Sequence, residues 1–135
     1  MQTLMTNYTK NFSDEELTCK CGCGIMLCRE EQQRLQIVRD CYGGPIYVAR
    51  TISCPTHNKA IGGADGSAHL DKPDEDASGV DVGVKTFPTA SHRAKLIRCA
   101  LEAGYNCFGL GNTRFHMDAR KLFWNLEGIR LLWAY

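Results

Sequence analysis

Apolar and polar positions alternate along this chain with two distinct periods. Over "EEQQRLQIVRDCY" the apolar residues return at helical spacing: Leu35, Val38 and Tyr42 share one face, Ile37 and Cys41 lie beside it, and Gly43-Gly44-Pro45 ends the run. "ASHRAKLIRCALEAG" has the same period, with Ala94, Ile97, Ala100 and Leu101 on one side and Gly104 at its end. A shorter helical start lies in "NFSDEELTC", where Ser13 can cap and Glu16 completes a capping box. The glycine-rich "CKCGCG" that follows cannot prolong it. Strand-like patterning marks "PIYVARTI", "SGVDVGV", "YNCFGLG" and "RFHMDAR", the last two flanking a Gly/Asn turn. "SCPTHNKAIGGADGS" reads as loop, punctuated by Pro55 and glycines, and the apolar tail "LEGIRLLWAY" is expected to pack back onto the core. Helix, strand, strand, helix, strand, strand predicts an α+β fold. The expected architecture is a small antiparallel sheet with flanking helices in a single compact domain, residues 1–135.

Composition narrows the function classes. A chain of 135 residues with 44% apolar and 23% charged positions matches one soluble globular domain. A net charge of +1 gives no reason to expect nucleic acid or stable membrane association. No run approaches a membrane span, and Met1 to Lys10 is polar, without the apolar stretch of a signal peptide. Synthesis in a cytoplasm, as a monomer, is the expectation. Eight cysteines are many for a reducing compartment. Cys19, Cys21, Cys23 and Cys28 lie close together, with Cys41, Cys54, Cys99 and Cys107 dispersed. The cluster could wrap a tetrahedral ion, but it lacks the usual pair of C-x2-C knuckles, so metal, disulfides and buried thiols all stay open.

Candidate chemistry concentrates in "GSAHLDKPDEDASGVDVGV", residues 66–84, and in "RFHMDAR". In a strand "SGVDV", Val80 and Val82 face the core and Asp81 faces away; in "RFHMDAR", Phe115 and Met117 oppose His116 and Asp118. With His69 from the intervening loop, two imidazoles and a carboxylate make the ligand set of a catalytic zinc site, whose bound water is acidified to a pKa of about 7. The bland readings stand beside this one. A His-x-Asp pair is also a common surface ion pair, and Asp71, Asp74, Glu75 and Asp76 read as a solvated loop. His57 and His92 read as structural or exposed.

The chain resembles the M15 zinc peptidases: D-alanyl-D-alanine carboxypeptidases, murein endopeptidases, and the zinc fold shared with Hedgehog signalling domains. The resemblance rests on "SAH" (Ser67, His69), "ASGVDV" (Asp81) and "FHMD" (His116, Asp118) in order, preceded by the "CPTHN" loop and Gly-Gly. "NFSDEELTCKCGCG" and the closing "WAY" resemble small phage-borne members. It implies zinc held by His69, Asp81 and His116, with Ser67 orienting the His69 loop. Peptides of bacterial peptidoglycan are the implied substrate. A phage endolysin of this kind is made in the host cytoplasm and acts at the cell wall or periplasm.

Three departures accompany the resemblance. His69 and Asp81 stand 12 positions apart against the family's usual seven, so "DKPDEDA" reads as an insertion overhanging the site like a flap. Ser53 occupies the place of an arginine before Cys-Pro; Arg50 is the favoured substitute for gripping substrate, with Arg114 and Arg120 as others. Thr113 stands where several branches carry the general base, which leaves Asp118 as the candidate acid/base. Asp118 could equally be a fourth ligand or orient an imidazole, and a variant makes Asp118 the ligand and His116 the acid/base. The alternatives to a peptidase are a non-catalytic zinc-binding or phage structural protein that retains the fold, and a cysteine-rich scaffold.

Overall fold

The computed structural model describes residues 6–73 and 75–135. Its first helix, α1 (Asp14–Leu17), is fixed by reciprocal capping: Glu16 N–H donates to Ser13 Oγ at 3.2 Å, and Ser13 N–H donates to Glu16 Oε1 at 3.0 Å. Helix α2 (Arg29–Tyr42) buries Leu35, Val38 and Tyr42 and ends at Gly43, whose left-handed φ of 74° returns its N–H to the Arg39 carbonyl. Strand β1 (Val48–Arg50) follows. The "CPTHNKA" segment then forms helix α3 (Pro55–Ala60), where the sequence pattern predicted loop. Pro55 is the reason: at the first helical position it lacks only an N–H that needs no partner there, so it starts a helix. Strand β2 (Val80–Gly83) precedes helix α4 (Ala90–Glu102), which is capped by Thr89. Strands β3 (Cys107–Leu110), β4 (Arg114–Asp118) and β5 (Leu131–Ala134) complete the chain.

Helix α4 is rotated from its predicted face. Leu96, Cys99 and Ala100 are buried while Ala94 is exposed. The larger Leu96 goes inward, and Cys99 bonds Cys41 of α2 in a disulfide that holds the two packed helices together.

The sheet order is β1-β2-β4-β3-β5. The first three pairings are antiparallel, but β5 runs parallel to β3, so the sheet is mixed where a wholly antiparallel one was expected. The tail does not sink into the core. It adds an edge strand whose Leu131 and Leu132 stay exposed. One face of the sheet supplies Val80, Val82, Phe108, Phe115 and Met117 to a core shared with α2 and α4. Period-two alternation sends the residues between them to the opposite face, where the candidate chemistry lies.

Candidate active site

Backbone register assembles a single row of side-chain positions across the sheet. Arg50 pairs with Asp81, Asp81 with His116, His116 with Gly109, and Gly109 with Trp133. Directly opposed residues share a face, so one rung spanning all five strands carries an arginine, two candidate ligands, a gap and an indole. The gap is needed. A Cβ on Gly109 would lie 2.6 Å from the Trp133 ring, and it is the missing side chain that lets the indole lie across to His116, at 5.3 Å between centroids.

His69 comes from outside the sheet, on a loop pinned at both ends. Ser67 Oγ accepts its N–H at 3.2 Å, its carbonyl accepts from Ser53 N–H at 2.7 Å, and Ser78 and Gly79 both donate to the Ala68 carbonyl at 3.0 Å. The ring sits so close over Gly79 that a Cβ there would meet Nδ1 at 2.8 Å. Thr51 O engages Nδ1 at 2.5 Å, which leaves Nε2 facing Asp81 Oδ1 at 3.1 Å. His116 is oriented in the opposite sense. Its Nε2 is held by Asp118 Oδ2 at 2.7 Å, and Nδ1 faces the same Asp81 oxygen at 2.9 Å.

His69 Nε2, Asp81 Oδ1 and His116 Nδ1 therefore converge, with their ligand atoms within 4.8 Å of one another. Tetrahedral zinc with nitrogen and oxygen ligands separates its donors by about 3.3 Å, close to the distances seen here. Each imidazole has its far nitrogen anchored by an oxygen acceptor, the support that metal-bound histidines use to fix tautomer and ring angle. The donor set fits a metal with three protein ligands.

Electrostatics agree with this packing. Burial works to raise the Asp81 carboxyl, but hydrogen bonds from His116 and His69 outweigh it and hold the group well below the usual carboxylate range. Burial works to lower His116, and the carboxylates of Asp118 and Asp81 reverse it, so the imidazole is raised. Burial likewise opposes ionisation of Asp118, which His116 and Arg120 overcome, leaving it lowered.

The remaining predicted residues fall in distinct places. Asp118 is fully buried, one oxygen on His116 and the other accepting from Arg120 Nε at 3.0 Å, on the far side of the imidazole from Asp81. Its carboxylate holds His116 Nε2 and lies outside the converging group. Arg50 donates through Nε and Nη2 to Ser53 Oγ at 3.1 and 3.0 Å. Arg114 stacks on Tyr135 at 4.0 Å instead. Thr113 is exposed, and among the described residues no loop carboxylate joins the ligand group. The acidic insertion lies against the segment after β4, where Glu75 accepts from Lys121 N–H at 3.2 Å; Asp74 is outside the described residues. His57 is half-buried, and His92 is exposed, its Nδ1 paired with Thr89 Oγ1 at 2.6 Å. Trp133 and Thr51 were missed in the sequence. A glycine inside the strand "CFGL" was the available sign that something crosses the sheet there.

Comparison with protein families gives a match to Peptidase M15 over residues 10–118, most of the chain and all of the converging group. The chain belongs to the M15 peptidases. Membership carries metal-dependent peptidase chemistry, which the two histidines and aspartate are equipped to support. Curated proteins and solved structures yield no match to this M15 chain. No helix among its described residues is long and apolar enough to cross a membrane.

Proposed function

We propose that this M15 peptidase is a zinc enzyme that hydrolyses peptide bonds in peptidoglycan stem peptides or cross-links, in the manner of a phage endolysin working at the cell wall. The observation that carries the reading is the convergence of His69 Nε2, Asp81 Oδ1 and His116 Nδ1, each imidazole anchored at its other nitrogen. Zinc held by these three would supply a Lewis acid for the peptide carbonyl and an acidified water. The chain's own residues do the rest. Asp118 keeps the proton on His116 Nε2 and so keeps Nδ1 available as a ligand. Thr51 O does the same for His69. Arg50, on the same rung as Asp81, offers a planar cation to a substrate carboxylate or a developing oxyanion. Trp133 walls the far end beside His116.

A second reading keeps the metal but not the hydrolysis: a zinc-binding phage structural protein on the same fold. It is favoured by exposed Thr113, which leaves that position without a carboxylate base. Digestion of purified peptidoglycan by wild type and His116→Ala, with products identified by mass spectrometry and zinc assayed in parallel, separates the two. New peptide fragments from wild type alone, with zinc lost in the variant, support the peptidase and name the bond. Zinc that is bound by wild type and lost in His116→Ala, with no product from any muropeptide, supports the non-catalytic protein.

A further inference from the structure

A second set of convergent ligand atoms lies apart from the histidines. The sulfurs of Cys19, Cys21, Cys23 and Cys54 all fall within 4.8 Å of one another. Three of them sit at the tip of a hairpin whose stem is closed by the Thr18–Met26 bridge, with Cys19 N–H on the Ile25 carbonyl at 2.9 Å and Leu27 N–H on the Leu17 carbonyl at 2.8 Å. Gly22 and Gly24, at φ of 82° and 86°, take the left-handed turns that fold the tip back on itself. Cys54 reaches the same point from the residue before α3. Cys28, grouped with the first three by sequence spacing, faces Glu30 and Asp76 instead.

Spacing distinguishes what the cluster is built for. Cys19 and Cys21 sulfurs are 3.4 Å apart, and Cys21 and Cys54 sulfurs 3.6 Å. A disulfide draws two sulfurs to about 2.05 Å. Zinc bonded at about 2.3 Å to four thiolates sets them about 3.8 Å apart. Backbone amides already point at the sulfurs: Cys54 N–H donates to Cys19 Sγ at 3.4 Å, and His57 N–H to Cys54 Sγ at 3.3 Å. Two of the four cysteines are buried and two exposed, so an ion could enter from solvent and be held from below.

We propose that Cys19, Cys21, Cys23 and Cys54 form a tetrathiolate zinc site, distinct from the His69–Asp81–His116 group. All four positions are taken by sulfur, so the site is closed and structural. Its mechanical effect follows from the neighbour of Cys54. Ser53 exchanges backbone hydrogen bonds with the His69 loop, through His69 O at 2.7 Å and Asp71 N at 2.8 Å, and also receives the Arg50 guanidinium. The ion staples the N-terminal hairpin to the segment that positions His69 and Arg50.

Metal analysis of the intact protein purified under reducing conditions tests this. The expected result is two zinc ions per chain, with one lost in Cys23→Ser and the other lost in His116→Ala. Cobalt-substituted protein should show intense thiolate-to-cobalt charge-transfer absorption that His116→Ala retains and Cys23→Ser loses. If Cys23→Ser does not fold, alkylation of native wild type serves. The four cysteines should resist iodoacetamide until the protein is chelated and denatured, although two of them are exposed. A zinc content that Cys23→Ser leaves unchanged, iron in place of zinc, prompt alkylation of Cys21 and Cys23, or a disulfide among the four would each overturn the assignment. None of these readouts depends on peptidase activity, so failure here leaves the proposed hydrolysis standing.

Discussion

Substituting Asp118 by Asn probes how the metal group is held. The wild-type carboxylate is fully buried and accepts from two donors, His116 Nε2 at 2.7 Å and Arg120 Nε at 3.0 Å. Asparagine offers one carbonyl oxygen and one amide, so it can satisfy only one of the two. Arg120 is about a third exposed on its side chain (35%) and can turn to water, so the amide oxygen stays with His116. The fold loses little. What is lost is the negative charge that makes His116 a more basic ligand. Removing such an outer support costs about 10–100-fold in metal affinity, or about 1.4–2.7 kcal/mol. Competition against a chromogenic chelator measures that affinity, and turnover at saturating zinc is measured beside it. The expected outcome is weakened zinc binding, with much of the activity restored by excess metal. If Asp118→Asn binds zinc within twofold of wild type yet has no turnover, Asp118 moves protons itself and the orienting role is refuted.

Three further outcomes are expected. Gly109→Ala places a Cβ 2.6 Å from the Trp133 ring; overpacking should cost about 1–3 kcal/mol, and in a Trp124→Phe background the fluorescence of Trp133 should shift as it leaves His116. An unshifted spectrum would remove Trp133 from the site wall. Cys41→Ala opens a disulfide spanning 58 positions between α2 and α4; chain entropy puts the loss at about 4 kcal/mol, and an unchanged urea midpoint would show that the cross-link does not form. Burial raises the Glu31 carboxyl despite its 3.1 Å pair with Arg34. A carboxyl raised in the fold binds its proton more tightly there than in the unfolded chain, so wild type gains stability as pH falls through that raised value. Glu31→Gln should therefore exceed wild type in urea midpoint at neutral pH, with the gap closing in mild acid; a gap that widens in acid would contradict the sign.

Local chemistry wrote much of this protein into its sequence. The Ser13–Glu16 capping box, the apolar period of α2 and its Gly43 stop, and the alternation that turns Val80 and Val82 inward are short-range rules, and each appears where the sequence places it. The order of "SAH", "ASGVDV" and "FHMD" was likewise legible, and the fold brings His69, Asp81 and His116 from a loop and two strands to one point. Other features needed the fold. Pro55 was ambiguous between loop and helix start until Cys54 had a fixed position in front of it. The face of α4 depended on where α2 and the Cys41–Cys99 bond lay. Asp118 and His116 share a strand face in the sequence pattern, but which imidazole nitrogen meets which carboxylate is decided by the register of β4 between β2 and β3. Cys54 joins Cys19, Cys21 and Cys23, and Trp133 meets His116, across separations that no periodicity spans. Periodicity reports only which face a residue takes within its own element. Strand order, register and loop closure decide which faces meet, and those are settled by the packing of the whole chain.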